Sequence, residues 1–325
     1  MRKVLVFLFS ILLYSTFSVG QVSANEVVSK LENEYTIGEI QEILFDYFQE
    51  NDINYELGSS EFLEYLISVL IEDKDEELAK HPKYDLILFY ASEYVHEVEK
   101  QQSELIASEE EIKEIDLSQL QNKSVGDIKK EIASEEMLVE KEIQDYKAAH
   151  PHVYQLESTY NRTAAVNYAV EWYNKRNSQY NRHTLDCTNF VSQAVFAGGK
   201  SMTKPTVRPG GILETTSYWY SERYSLPAYN YGYRESTSWI RVVDFYSYWS
   251  RTQATVVSSS KTSIINNANL GDVVQLKRSS DGRWFHSMIV TKKANGTIYL
   301  SGHTNDTLNK SINNITADSF RVIKF

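Results

Sequence analysis

The chain has 325 residues, a formal net charge of −11 and one cysteine, a length that suggests about two domains. One cysteine excludes an internal disulfide framework, and the acidic balance gives no basis for a nucleic-acid partner. The charge is divided, with −22 in residues 25–150 and +9 in residues 151–325.

At the N-terminus, Met1-Arg2-Lys3 precedes an apolar run from Val4 to Val19, and Val22-Ser23-Ala24 supplies a small-residue cleavage site. Residues 1–24 therefore read as a signal peptide cut before Asn25, with an uncleaved anchor as the alternative. The expected product is a secreted, extracellular or cell-surface bacterial protein, not integral to the membrane after cleavage. A lone thiol in an oxidising compartment is a liability unless it is buried, paired between chains or chemically used.

Residues 25–150 are patterned as helices throughout and form an expected all-α acidic domain. Ile37, Ile40, Leu44 and Phe48 make one apolar stripe, Phe62, Leu66 and Val69 a second, and Phe89, Tyr94 and Val98 a third. Weaker amphipathic stretches cover Ile112–Leu120, Val125–Ile132 and Met137–Tyr146, and His81-Pro82 marks a helix boundary. The acidic runs at 72–77 and 109–111 lack the glycine-punctuated spacing of a calcium loop and read as solvated faces. His81 and His96 have no partners at metal-ligand spacing. The opposite charges of the two parts predict intramolecular docking of the acidic helical domain on the remainder, limiting access to Cys187.

The charge density drops near Lys147–His152, where the domain 151–325 is expected to begin. A helix signal follows at Asn161-Arg162-Thr163, then a loop from Tyr180 to Leu185. The run Asp186-Cys187-Thr188-Asn189-Phe190-Val191-Ser192-Gln193 reads as the start of a buried helix ended by Gly198-Gly199. Asp186 as N-cap puts Cys187 in the first turn, where unpaired N–H groups and the helix dipole favour a thiolate. The bland alternative is a small buried apolar residue. Residues 201–260 are rich in Tyr and Trp, for a core or a substrate groove, with a helix over Trp239–Trp249.

Runs at Asp272–Lys277, Trp284–Lys292, Thr297–His303 and Ser319–Phe325, joined in part by Asp281-Gly282 and Asn295-Gly296, predict an antiparallel meander and an α+β fold overall. A helix across that sheet can join Cys187 to His286 as a nucleophile for acyl transfer. A third polar group must then hold the other ring nitrogen. His303 is the first choice, since its alternation suits the face of His286, and Asp306 is the second. The Cys187 N–H is an oxyanion donor, with a second from Tyr180 or Asn181, and Asn189 is placed to brace Asp186. Rival readings make His286 a satisfied core residue, or the domain a non-catalytic binding module. A zinc site of Cys187, His286 and His303 matches no short structural-zinc spacing, so neither metal nor cofactor is expected.

The segments Tyr160-Asn161-Arg162-Thr163-Ala164-Ala165-Val166-Asn167-Tyr168-Ala169, Asp186 to Gln193 with Gly198-Gly199, Gly271-Asp272-Val273-Val274 and His286-Ser287 resemble the putative amidase domain family. That family is related to the CHAP and NlpC-type wall-peptide hydrolases of the papain-like cysteine peptidase clan. The resemblance covers residues 154–325. It implies a papain-like catalytic domain of helices packed on an antiparallel sheet, with Cys187 as nucleophile and His286 as general base. The implied activity is that of a cysteine amidohydrolase on a peptide or peptidoglycan peptide. The third member varies in that clan between His, Asn and acidic residues, and the helical region 25–150 is not covered.

Overall fold

The computed structural model describes residues 30–106, 116–151, 160–227, 230–279 and 282–325, with side chains of 103–106 excepted. The signal-peptide segment, the acidic run 109–111, the start of the Ile112 stretch and Asp281 of the expected turn lie outside the described residues. Glu32–Phe325 form one compact unit.

The helices begin where their caps stand. Thr36 and Glu39 make a reciprocal capping box at the start of α1 (Ile37–Glu50). Ser59 caps α2 (Ser60–Glu72) through the Phe62 N–H. α3 (Tyr84–Ile106) starts just after the His81-Pro82 boundary. A short α4 (Ser118–Gln121) leads to α5 (Val125–Ala149), one continuous helix where the pattern suggested two weak ones. Asn161 caps α6 (Arg162–Trp172) through the Ala164 N–H, and α7 (Cys187–Ala197) follows.

The aromatic-rich stretch folds into structure that periodicity did not show. β1 (Gly211–Leu213), β2 (Ser221–Ser225) and β3 (Tyr231–Ser236) form a small sheet in which β3 is central. The expected helix from Trp239 is two pieces, α8 (Thr237–Ile240) and α9 (Val242–Trp249).

The main sheet adds β4 (Ala254–Ser258), α10 (Lys261–Asn267), β5 (Val273–Lys277), β6 (Trp284–Ala294), β7 (Thr297–Gly302), β8 (Thr307–Ser311) and β9 (Ser319–Lys324). Its strand order is β4-β9-β5-β6-β7-β8, antiparallel throughout. Asn295 and Gly296, both at positive φ, make the tight β6–β7 turn. The architecture is α+β.

Both faces of this sheet are covered, so β5 is buried along its whole length. Val274, Leu276, Met288, Val290, Phe320 and Val322 share a core with α1, α2 and α3. Val273, Ile289 and Ile323 share another with α6, α7 and α9. α5 enters both, with Ile128 and Ile132 in the first and Ile143 in the second.

Acids of the helical segment meet bases of the sheet segment. Glu93 and Glu135 both bond Arg283, Glu136 bonds Lys277, Asp73 bonds Arg278, and Glu142 bonds Arg251. Exposure decides their worth. Arg283 and Glu93 are both buried, whereas the Glu142 side chain is 44% exposed. Removing one partner of a buried pair strands a charge, while an exposed pair is screened. Glu93→Ala should lower the free energy of unfolding by about 3 kcal/mol, and Glu142→Ala by less than about 1 kcal/mol, both read by urea titration. Equal small losses would show that the Arg283 pair is not the anchor between the two segments.

Candidate active site

α7 opens with Cys187, which is 2% exposed. The Asp186 carbonyl accepts the first intrahelical bond, from the Phe190 N–H at 2.9 Å. Its carboxylate does not cap the helix, contrary to the sequence expectation. Stronger donors claim it: His303 Nδ1 donates to Oδ2 at 2.6 Å, Arg176 Nε lies 3.1 Å from the same oxygen, and Asn189 Nδ2 donates to Oδ1 at 2.7 Å. Asn189 also donates to the Asn181 carbonyl and accepts from Trp239 Nε1 at 2.8 Å. Asn189 thus braces Asp186, while the Asn181 side chain is spent on Glu235 and on the Arg182 N–H. Tyr180 stacks on Trp239 at 5.7 Å.

The sulfur meets the sheet at the peptide joining His286 to Ser287, whose Ser287 N–H is turned towards Sγ. Beneath it runs a buried polar chain. Thr188 Oγ1 is 3.7 Å from Sγ and 3.0 Å from Ser287 Oγ, and Gln275 Nε2 donates to that Ser287 oxygen at 3.1 Å. Val242 and Trp284 pack with Cys187. Cys187 thus lies against the backbone that follows His286, but no hydrogen bond joins Sγ to the imidazole among the described residues.

His303 and Asp306 do not hold His286. The pairing of Ile289 with Ser301 sets residue 303 opposite residue 287, on the α7 side, where His303 stacks on Phe190 at 4.0 Å. His286 pairs with Leu276 and lies on the other face. Both His303 nitrogens face acceptors elsewhere, Nδ1 at Asp186 and Nε2 at the Trp172 carbonyl, 2.7 Å away. Asp306 is 39% exposed and pairs with Arg176 at 2.9 Å. The position on β7 that faces His286 Nε2 is Gly302, which has no side chain to offer; a Cβ there would be 3.5 Å from that nitrogen.

The expected thiolate–imidazolium pair is not formed, and each group is held neutral by its own burial. Burial pushes the Cys187 thiol up to about 12, helped by the charges of Glu99 and Asp186 and opposed by the Ser287 N–H and Thr188. Burial alone lowers His286 to about 3. The helix start is too weak to offset desolvation under α3. Glu99 is the residue that sequence reasoning missed here. It lies on α3, accepts the Val242 N–H at 3.0 Å, and is raised to about 8 by burial. Its only signal was a charged position three residues from His96, one of several on α3. Also missed was the buried pair of His183 Nε2 and Glu235 at 2.8 Å, which ties the loop before Cys187 to β3.

These shifts have a sign. An unfolded chain protonates His286 near 6.5 and ionises Cys187 near 8.5. Between about 6.5 and 3 the unfolded state binds the extra proton, so stability falls as pH drops. Between about 8.5 and 12 the folded state keeps the proton, so stability falls as pH rises. These two groups leave stability level between about pH 6.5 and 8.5, while Glu99, held at about 8, lowers it as pH rises from about 4.3, so denaturation midpoints should peak below about pH 6.5. The acid limb should flatten in His286→Ala and the alkaline limb in Cys187→Ser, by up to about 1.4 kcal/mol per pH unit. Variants that track the wild type at every pH would refute the buried, neutral state of the two groups.

No solved structure matches the chain. Uncharacterized protein YhbB of Bacillus subtilis (strain 168) is 30% identical over 141 residues, covering 43% of this chain and 40% of its own length. Uncharacterized protein YjcM of the same organism is 26% identical over 196 residues, covering 57% and 41%. The chain thus spans about two fifths of the length of these curated relatives. The family model described as "Putative amidase domain" matches residues 159–325, a span that begins just before α6 and holds Cys187, His286 and the whole main sheet. With more than half of its length so matched, the chain belongs to the putative amidase domain family.

Proposed function

We propose that the chain is a cysteine amidohydrolase that cleaves an amide bond in a peptide or cell-wall peptide, with a papain-like catalytic part and Cys187 as nucleophile. The observation that carries the reading is the placement of Cys187. In a chain of a family named for amidases, its only cysteine opens a buried helix and its sulfur lies at the His286–Ser287 peptide. In this reading His286, whose ring at rest lies on the face of the sheet away from α7, must reach Sγ to take the thiol proton as the sulfur attacks the carbonyl carbon. The oxyanion forms at the start of α7, where no side chain caps the helix and the Cys187 N–H can donate. The imidazolium returns the proton to the leaving amine, and water then hydrolyses the thioester to release the acid and the thiol. The leader at 1–24 would deliver the enzyme to the cell surface or medium, and α3, with Glu99 near the sulfur, holds the resting thiol neutral.

That neutrality also favours a second reading, a non-catalytic module on the same fold that binds peptide or wall material. Incubating peptide and peptidoglycan fragments with wild type, Cys187→Ser and His286→Ala, read by mass spectrometry, separates the two. The amidohydrolase should yield new amine and carboxylate ends, with a loss of about 1000-fold or more in Cys187→Ser and about 100-fold in His286→Ala. Products that persist unchanged in Cys187→Ser would remove the cysteine from the chemistry. Retention of fragments without cleavage would leave the binding module.

A further inference from the structure

A cavity of about 290 Å³ lies between α5 and the main sheet, with Ile132, Val139, Tyr246 and Trp284 among its walls and Arg321 lining it. Arg321 is 4% exposed. Its guanidinium carbon lies 3.7 Å from the Tyr246 ring centre and 4.3 Å from that of Trp284, and its Nε donates to Gln275 Oε1. Its Nη2 has no hydrogen-bond partner among the described residues.

A buried guanidinium with an unmatched donor is costly, and native interiors contain few. The carboxylates around it are spent on other groups. Glu136 bonds Lys277 and Trp284 Nε1, Glu140 bonds the Tyr246 hydroxyl, and Glu135 bonds Arg283. Burial lowers the Arg321 pKa to about 9, against the opposing pull of Tyr246, Glu136 and Glu140. Two rings and Gln275 thus fix the guanidinium in place while one donor edge stays unmatched.

We propose that this cavity binds a carboxylate-bearing residue of a peptide, paired with the guanidinium of Arg321 that lines it, and serves as a specificity subsite for the reaction at Cys187. The planar fork of arginine suits a planar carboxylate, and the apolar walls suit the methylenes of an acidic side chain. The other charges on the lining nearly cancel, which favours a single negative charge over a dianionic phosphate. The subsite reaches the sulfur by two routes. Trp284 packs with Cys187. Gln275, held by Arg321, donates to Ser287 Oγ, which pairs with Thr188 beside Sγ. Only the subsite role rests on the amidohydrolase reading; the binding itself does not.

The test is isothermal titration of the full chain with N-acetyl-L-glutamate α-methylamide, which carries one carboxylate, N-acetyl-L-glutamine α-methylamide, which carries none, and inorganic phosphate. The glutamate should bind at least about ten-fold more tightly than the glutamine and than phosphate. Arg321→Gln should abolish the preference, and Arg321→Lys, which keeps the charge but loses the fork, should recover little of it. Equal binding of glutamate and glutamine by the wild type overturns the proposal, and needs no variant to fold. Tighter binding of phosphate overturns the ligand class, and a preference retained by folded Arg321→Gln overturns the residue. Amide cleavage that survives Cys187→Ser would remove the catalytic reading while leaving glutamate binding standing.

Discussion

The buried carboxylate of Asp186 is the fixed point from which the site is built. A desolvated negative charge must be met by donors, and three elements supply them: His303 past the end of β7, Arg176 after α6, and Asn189 from α7 itself. Its own N–H is taken by Thr304 Oγ1 at 3.0 Å. The residue before Cys187 is thereby tied to the loop beyond β7 and to the turn after α6, so the sulfur arrives at the sheet in one position. The same demand explains why the helix goes uncapped, since a carboxylate held by histidine and arginine has little to give to backbone N–H groups.

Desolvation then sets the state of the sulfur. A helix N-terminus stabilises a thiolate by an amount typical of exposed or half-buried sites, whereas burial under α3 with Glu99 nearby acts in the opposite direction and dominates. The resting site is chemically quiet for a physical reason. Its donors and hydroxyls are arranged around a group that stays protonated as long as the helices lie on it.

Much of this was legible in the sequence. The apolar stripes marked α1, α2 and α3, and Asn295-Gly296 marked a turn whose positive φ values only such residues take easily. Cys187 at a helix start and His286 on a strand were readable because both signals are local. The third member was not. The register of β6 on β7 puts His303 across from Ser287 and turns it away from His286, and alternation within one strand carries no information about its neighbour's register. Asp186 looked like a cap because caps are assigned by residue type, while two of the three donors that claim it, Arg176 and His303, lie 10 or more residues away in either direction. Glu99 and Arg321 were invisible for the same reason: a charged residue announces itself as exposed until the partner surface is known.

The family resemblance begins near residue 159, yet the packing has no border there. α5 places Ile128 and Ile132 in one core and Ile143 in the other, and one face of the central sheet is covered by the helices that precede the matched segment. A domain of this kind without those helices would present Val274, Leu276, Met288, Val290, Phe320 and Val322 to water as one continuous apolar face, an area too large to stay bare. Any chain that carries the domain must therefore roof that face, with helices like these or with another segment. The roof is then the part of the architecture free to differ from one lineage to the next, while the sheet beneath it is obliged to stay apolar.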